Sequence, residues 1–139
     1  MQHEEVTAEL LAYGRVTHFN PHVDDRPTYS NGYGYSDRER KMPVTAPEQG
    51  ANIVSSLLTN GMHAPAIDLD VPARLVPSST PGHGHLYIAH EMSWRDYRAL
   101  LFTMAKVGLV EEGFYQSSLR RRATHLRLPG VAKGVLAGR

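Results

Sequence analysis

Two aspartates are the residues of this 139-residue chain whose type and spacing point most directly to chemistry. Asp68 lies in the apolar run 66–69, and Asp70 stands two places further on. Side chains two apart share one face of an extended strand, so a strand that continues from 66–69 through Asp70 brings both carboxylates together. Neighbouring carboxylates repel unless a cation lies between them, and Mg²⁺ or Mn²⁺ prefers such oxygen ligands. The spacing predicts a divalent metal site at Asp68 and Asp70.

A turn-rich loop with hydroxyl groups follows about fifteen residues later. It contains Ser79, Thr80 and His83, and it runs directly into a predicted strand over 85–88 that begins at His85. Glycines in such a loop let backbone N–H groups approach an anion, and a histidine beside it can bind or protonate phosphate. A carboxylate strand followed by this loop predicts a metal–nucleotide site.

The composition is that of a globular protein, with 41% hydrophobic and 21% charged residues. The formal net charge of +1 gives no global argument for a polyanion partner, so local clustering of charge has to carry that argument. The absence of cysteine excludes disulfides and thiolate metal sites. We find no signal-peptide profile and no apolar run long enough to span a bilayer, so we expect a cytoplasmic protein without a membrane partner.

The pattern of apolar residues and turn signals predicts an α+β fold, a two-layer sandwich with helices on one face of an antiparallel or mixed sheet. The predicted helices are 4–13, 48–58 and a helix capped by Ser93 that ends near residue 107. The predicted strands are 15–19, 66–69, 85–88, 114–119 and 123–128. We expect a single domain, with a helix and a long loop over 1–50, a core over 51–134 that the resemblance given below makes the catalytic unit, and a basic tail over 135–139.

Two basic regions are candidates for contact with nucleic acid. The loop over 20–50 interleaves tyrosines with cations, a composition suited to stacking bases and pairing phosphates. Three consecutive arginines lie between the last two predicted strands, in a hairpin turn or strand end, where they can contact phosphate or, equally, protect an edge strand against aggregation. The candidate nucleic-acid-binding residues are Tyr33, Tyr35, Arg120, Arg121, Arg122 and Lys133.

Three segments in order resemble the archaeo-eukaryotic primase (primase-polymerase) superfamily, and the likeness is closest to small plasmid and phage replication primases. They are Ile67-Asp68-Leu69-Asp70, the run from Ser79 to Tyr87, and Leu126-Arg127-Leu128-Pro129-Gly130 with Lys133 beyond. The resemblance implies an RRM-like sheet and nucleotidyl transfer with a nucleoside triphosphate and DNA as partners.

The resemblance also assigns roles to residues. Asp68 and Asp70 would hold the catalytic Mg²⁺ or Mn²⁺ ions. Ser79 and His85 would contact the triphosphate with Thr80 beside them, and His83 competes for the role of the histidine. Arg127 would be structural or would face a phosphate. The family normally supplies a third carboxylate from a later strand, and no acid lies between Gly113 and Arg139, so Glu111 and Glu112 are the nearest substitutes.

Other functions stay open beside nucleotidyl transfer. A catalytically inactive module that binds single-stranded nucleic acid would use the tyrosine-rich loop, the arginines and the basic tail. A two-histidine phosphoesterase would use His85 and His125, although Tyr87 and Arg127 stand where that family has Thr or Ser. A histidine metal site is a further option, with candidate ligands His63, His83, His85 and His90. The oligomeric state is not predicted.

Overall fold

The chain folds into α-helices and antiparallel strands, which confirms the predicted α+β class. The computed structural model describes residues 2–21 and 43–131. The elements of the described residues are α1 (His3–Ala12), β1 (Arg15–His18), β2 (Ile53–Leu58), β3 (Ala73–Pro77), β4 (Gly84–Ile88), α2 (Trp94–Lys106) and α3 (Glu112–Arg121). β1 pairs with β2 and β3 pairs with β4. The described strands thus pair two by two, whereas an RRM joins four strands in one sheet.

Two compact units make up the chain, Met1–Asp68 and Leu69–Arg139. The first contains α1 and the β1–β2 sheet, and the second contains the β3–β4 hairpin with α2 and α3. The boundary falls between the two aspartates that the sequence analysis singled out. None of the helices in the described residues is long and apolar enough to cross a membrane.

The predicted helix over 48–58 is wrong, because its apolar half forms strand β2. A short 3₁₀ turn, Pro47–Gln49, ends at Gly50, whose φ of 91° is a left-handed conformation that a helix cannot continue through. β2 then pairs antiparallel with β1, with Thr17 opposite Val54. The apolar residues at 53, 54, 57 and 58 have helical spacing, and pairing with β1 overrides that local pattern.

Arg15 holds the residues just before 66–69, the segment where a metal-binding strand was predicted. Its guanidinium donates to the carbonyl oxygens of Ala64 (2.9 Å), Pro65 (3.3 Å) and Ser55 (3.4 Å). These bonds fix the backbone at Ala64 and Pro65, and no described strand pairs with the residues that follow. Residues 66–69 have no regular structure, so the predicted strand there is wrong.

The second unit begins with the β3–β4 hairpin. β3 was not predicted, because Pro72 and Pro77 are typical of a loop between two elements. A proline is tolerated at the end of an edge strand, where its missing N–H is not needed by a neighbour. β4 confirms the strand predicted over 85–88.

Helix α2 begins where the sequence predicts. The hydroxyl oxygen of Ser93 accepts a hydrogen bond from the backbone N–H of Asp96 at 3.1 Å, which satisfies one of the free donors of the first turn. Leu101 is buried at 4% exposure, and Trp94 and Tyr97 are half-buried on the same side of the helix. These three residues form the inward-facing side of α2, whereas Val107, just after the helix, is 63% exposed.

Residues 114–119 form helix α3, so the strand predicted there is wrong. Glu112 lies in the first turn and Arg120 and Arg121 in the last, which are the charges that the helix dipole favours at each end. The side-chain amide of Gln116 donates to the carboxylate of Glu112, one turn earlier, at 2.8 Å. These local interactions outweigh the strand preference of the aromatic pair that precedes Gln116.

The strand predicted over 123–128 is also wrong, because this segment has no strand partner among the described residues. Arg122 ends α3 in a left-handed conformation, with φ at 55°. The hydroxyl of Thr124 then contacts the phenol oxygen of Tyr97 at 2.6 Å and the hydroxyl of Ser118 at 3.1 Å. Side-chain hydroxyl groups therefore anchor this segment to both helices in place of a strand ladder.

Candidate nucleic-acid interface

The predicted metal ligands, Asp68 and Asp70, both have exposed side chains outside regular structure. The two carboxylates would share a face only in a strand, and the structure has no strand at these residues. Within residues 2–21 and 43–131, no group of three or more histidine, aspartate or glutamate side chains is arranged to hold a metal ion. A Mg²⁺ or Mn²⁺ site stays a prediction that depends on residue type and on the family resemblance.

The predicted nucleotide-binding loop is the turn of the β3–β4 hairpin. The N–H of His83 bonds to the carbonyl of Thr80 at 3.0 Å, and Gly82 between them has a φ of 80°. Proline at the second position and a left-handed glycine at the third are the signature of a type II turn. Ser79, Thr80 and His83 are exposed, whereas His85 is half-buried on β4. These four residues therefore lie in one turn and the strand that leaves it.

One face of the hairpin combines a cation, an aromatic ring and the predicted histidine. Arg74 lies opposite Tyr87, and Val76 lies opposite His85. Directly opposed residues of an antiparallel pair share a face, with Cβ atoms about 4.5–5.5 Å apart. Arg74 is exposed, Tyr87 is 41% exposed, and Arg74 forms no ion pair with a described residue. We call these four residues the hairpin face.

The opposite face of the hairpin is apolar and carries no charge. Leu75, Leu86 and Ile88 lie on it, with exposures of 69%, 48% and 38%. The chain approaches itself closely at Gly84, where an added Cβ would lie 2.9 Å from Cδ1 of Leu75. This face provides matched positions for testing the hairpin face.

The three consecutive arginines lie at the carboxyl end of α3, so their predicted position in a hairpin turn or strand end is wrong. Arg120 donates to the hydroxyl of Ser117 at 3.2 Å. Arg121, Arg122 and Arg127 are exposed and form no ion pair with any described residue. These guanidinium groups remain free to bind an external anion, and arginine matches the geometry of phosphate.

Charge is divided unequally between the two units. Ten of the 15 Lys and Arg residues, but only five of the 14 Asp and Glu residues, belong to Leu69–Arg139. That unit has a formal charge of +5, whereas Met1–Asp68 has −4. The net charge of +1 for the chain conceals this division, which the sequence analysis overlooked.

Three of the predicted nucleic-acid-binding residues lie outside the described residues. They are Tyr33, Tyr35 and Lys133. Their assignment stays a prediction from sequence.

The histidines other than His85 do not form a catalytic pair within the described residues. His125 is exposed in the segment 123–128, so the second strand that a two-histidine phosphoesterase needs is missing. His63 contacts the hydroxyl of Ser56 through Nδ1 at 3.0 Å, a contact that the sequence analysis missed because it assigned Ser56 to a helix. No described carboxylate contacts His63 to orient it as a catalytic base. The bridge between Leu57 and His63 places the Ser56–His63 contact at the turn after β2, where it has a structural role.

Arg74 is the residue of the hairpin face that the sequence analysis did not identify, and Tyr87 was given no role. The sequence did contain a signal for the pairing of Arg74 with Tyr87. A Pro-Gly turn between two short apolar segments predicts a hairpin, and a hairpin register makes Arg74 and Tyr87 opposite neighbours.

The roles of the hairpin face and of the exposed arginines are inferred from their own geometry and charge. The primase-polymerase resemblance stays a prediction from the three segments that carry it. No family model, no curated protein and no solved structure matches this chain.

Proposed function

We propose that this protein binds single-stranded nucleic acid through the Leu69–Arg139 unit and needs no metal ion to do so. The observation that carries the proposal is the cross-strand pair of Arg74 and Tyr87 on the hairpin face. An exposed ring accepts any base by stacking, and an unpaired guanidinium beside it binds the adjoining phosphate. The pair thus supplies both contacts that sequence-independent binding requires.

The turn beside this pair supports the proposal. Ser79, Thr80 and His83 offer exposed hydroxyl and imidazole groups, and phosphate oxygens accept hydrogen bonds from such donors. A strand that stacks a base on Tyr87 can place its next phosphate against this turn or against Arg74. The residues predicted to bind nucleotide then bind the phosphates of the polymer.

The charge of the unit supports the proposal further. A unit with a formal charge of +5 attracts a polyanion, and the exposed arginines after α3 add to its basic surface. Arg122 occupies a left-handed position that glycine would fill without strain. A strained arginine without an ion-pair partner fits a role in binding phosphate better than a role in stability.

The test is binding of a fluorescently labelled oligothymidine to the full chain, followed by anisotropy. We expect saturable binding that weakens with salt and is unchanged by a chelator. Tyr87→Ala should weaken it about tenfold, since stacking one base contributes about 1–3 kcal/mol. Leu75→Ala, on the opposite face of the same hairpin, is the control and should bind as wild type does. Absence of binding by wild type, or equal losses in the two variants, contradicts the proposal.

Metal-dependent nucleotidyl transfer is the rival function that the family resemblance implies, with Asp68 and Asp70 as ligands. It requires Mg²⁺ or Mn²⁺ and a nucleoside triphosphate, so a chelator would abolish it. A two-histidine phosphoesterase would instead cleave a phosphodiester in the presence of chelator and lose that activity in His85→Ala. Assays of binding, nucleotidyl transfer and cleavage, each with and without chelator, therefore separate the three functions.

A further inference from the structure

The outward side of α2 carries a row of cations around one aromatic ring. Arg95, Arg98, Phe102 and Lys106 follow at intervals of three, four and four residues, so they share one side of the helix over about 16 Å. Phe102 is 52% exposed, and the three cations are exposed as well. We call these four residues the α2 stripe.

Two features of the α2 stripe are unfavourable in the protein alone. Arg95 lies in the first turn of α2, where the helix dipole disfavours a cation, and Arg98 repels it from one turn away. Arg95, Arg98 and Lys106 form no ion pair with a described residue. An anion bound along this side would relieve both repulsions, which makes the α2 stripe complementary to a linear polyanion.

The partner that fits is a single strand rather than a membrane or a duplex. A helix that lies in a membrane surface buries its apolar side in lipid, whereas the apolar side of α2 is buried within the protein around Leu101. The exposed ring of Phe102 stands among the cations, where it can stack on an unpaired base. Bases inside a duplex are already stacked and do not offer their faces to it.

We propose that the α2 stripe is a second contact surface for single-stranded nucleic acid, with Arg95, Arg98 and Lys106 on successive phosphates and Phe102 on a base. This inference rests on the proposed function but concerns different residues. Its signature is also different, because three of the four residues act through charge. The salt dependence of binding therefore tests it.

The first measurement compares the slope of log affinity against log salt for the full chain and its variants. Each phosphate contact to a single strand contributes about 0.7 to that slope. Arg98→Gln should reduce the slope by about 0.7, and the triple change of Arg95, Arg98 and Lys106 to Gln by about 2. Gln49→Glu in the first unit lowers the net charge by the same amount as Arg98→Gln and keeps the side-chain oxygen that accepts from the N–H of Ala46, so it should leave the slope unchanged.

The second measurement concerns Phe102, whose ring also contacts Tyr115 edge-on at 6.0 Å between centroids. Phe102→Leu keeps an apolar side chain in that contact and removes the stacking surface. We expect about tenfold weaker binding to oligothymidine and an unchanged slope. The affinity for a duplex of the same length should not change.

The outcomes separate this inference from the proposed function. If wild type binds no single strand, both fail. If Tyr87→Ala weakens binding while Arg98→Gln and Gln49→Glu give equal slopes, the proposed function stands and the α2 stripe is not a binding surface. Tighter binding of wild type to vesicles of anionic phospholipid than to oligothymidine, or equal binding to the duplex, also overturns the inference.

Discussion

The hydroxyl contact between Tyr97 and Thr124 gives a sharp test of how the second unit is held together. The two oxygens are 2.6 Å apart, and the hydroxyl of Ser118 lies 3.1 Å from Thr124 on its other side. This small network joins α2, α3 and the segment that leads to Arg127. Tyr97→Phe removes one member and leaves the ring in position.

The size of the effect follows from what remains after the change. Thr124 keeps Ser118 as a partner, so Tyr97→Phe removes one hydrogen bond without leaving an orphaned group, at a cost of about 1 kcal/mol. Thr124→Val leaves both other oxygens unpaired, including that of Ser118 at 3% exposure. That substitution should cost about 2–3 kcal/mol, because buried polar groups lose their partners.

The assay uses urea unfolding followed by tryptophan fluorescence. Trp94 is the one tryptophan of the chain, and its ring centroid lies 6.1 Å from that of Tyr97. The signal therefore reports on the pair of helices. For a unit of this size, a loss of 1 kcal/mol also corresponds to a fall of about 4–8 °C in Tm.

The matched control is Tyr115→Phe, which removes a phenol oxygen that has no partner among the described residues. It should change the free energy of unfolding by less than about 0.5 kcal/mol, as surface substitutions usually do. A double-mutant cycle of Tyr97→Phe with Thr124→Val should give a coupling of about 1 kcal/mol. Equal losses in Tyr97→Phe and Tyr115→Phe, or a coupling near zero, would refute the reasoning.

Four further substitutions test other parts of the fold. Arg122→Gly should raise the free energy of unfolding by about 1 kcal/mol, because glycine adopts the left-handed conformation without strain, and it should weaken DNA binding. Arg121→Gly, at the last residue of α3, should instead lower the free energy of unfolding by about 1 kcal/mol. Ser93→Ala removes the N-cap of α2 and should lower it by about 1 kcal/mol in the same fluorescence assay. Arg15→Met leaves the carbonyl of Ala64 without its donor and should destabilise the first unit by about 2 kcal/mol, measured by far-ultraviolet circular dichroism.

Where local signals are complete, the sequence predicts the element correctly. Helix α2 has an N-cap at Ser93, an apolar stripe around Leu101 and a glycine after its end, and each of these signals lies within the helix or next to it. The fold of 48–58 and 114–119 depends on competing influences. Residues 53–58 become a strand because β1 is there to pair with them, and sequence patterning contains no information on that partner.

The candidate site was only partly predictable for the same reason. Ser79, His83 and His85 attract notice as residue types, and the hairpin does bring them together. Arg74 becomes relevant only through its register with Tyr87, which requires the two strands to be recognised as a pair. A single missed strand therefore hid the residue that pairs with the exposed ring.

The number of ligands at Asp68 and Asp70 determines how tightly a metal ion would bind there. Two exposed carboxylates supply only part of the six or more oxygen ligands that such an ion prefers, and no third acidic or histidine ligand joins them among the described residues. Metal alone should therefore bind no tighter than about 10⁻³ M, the weak end of the range for oxygen-ligand sites. A nucleoside triphosphate would have to complete the site with its own oxygens.

Calorimetric titration of Mn²⁺ with a nucleoside triphosphate decides whether this happens. If the aspartates hold the ion, Asp70→Asn should abolish heat that wild type produces, while Asp96→Asn, which changes an exposed carboxylate on α2, should retain it. Mn²⁺ without nucleotide should produce no saturable heat in any of the three proteins. Equal heats from wild type and Asp70→Asn would remove the metal–nucleotide hypothesis. The proposed binding of single strands through the hairpin face would not be affected by that outcome, because none of its proposed contacts requires a metal ion.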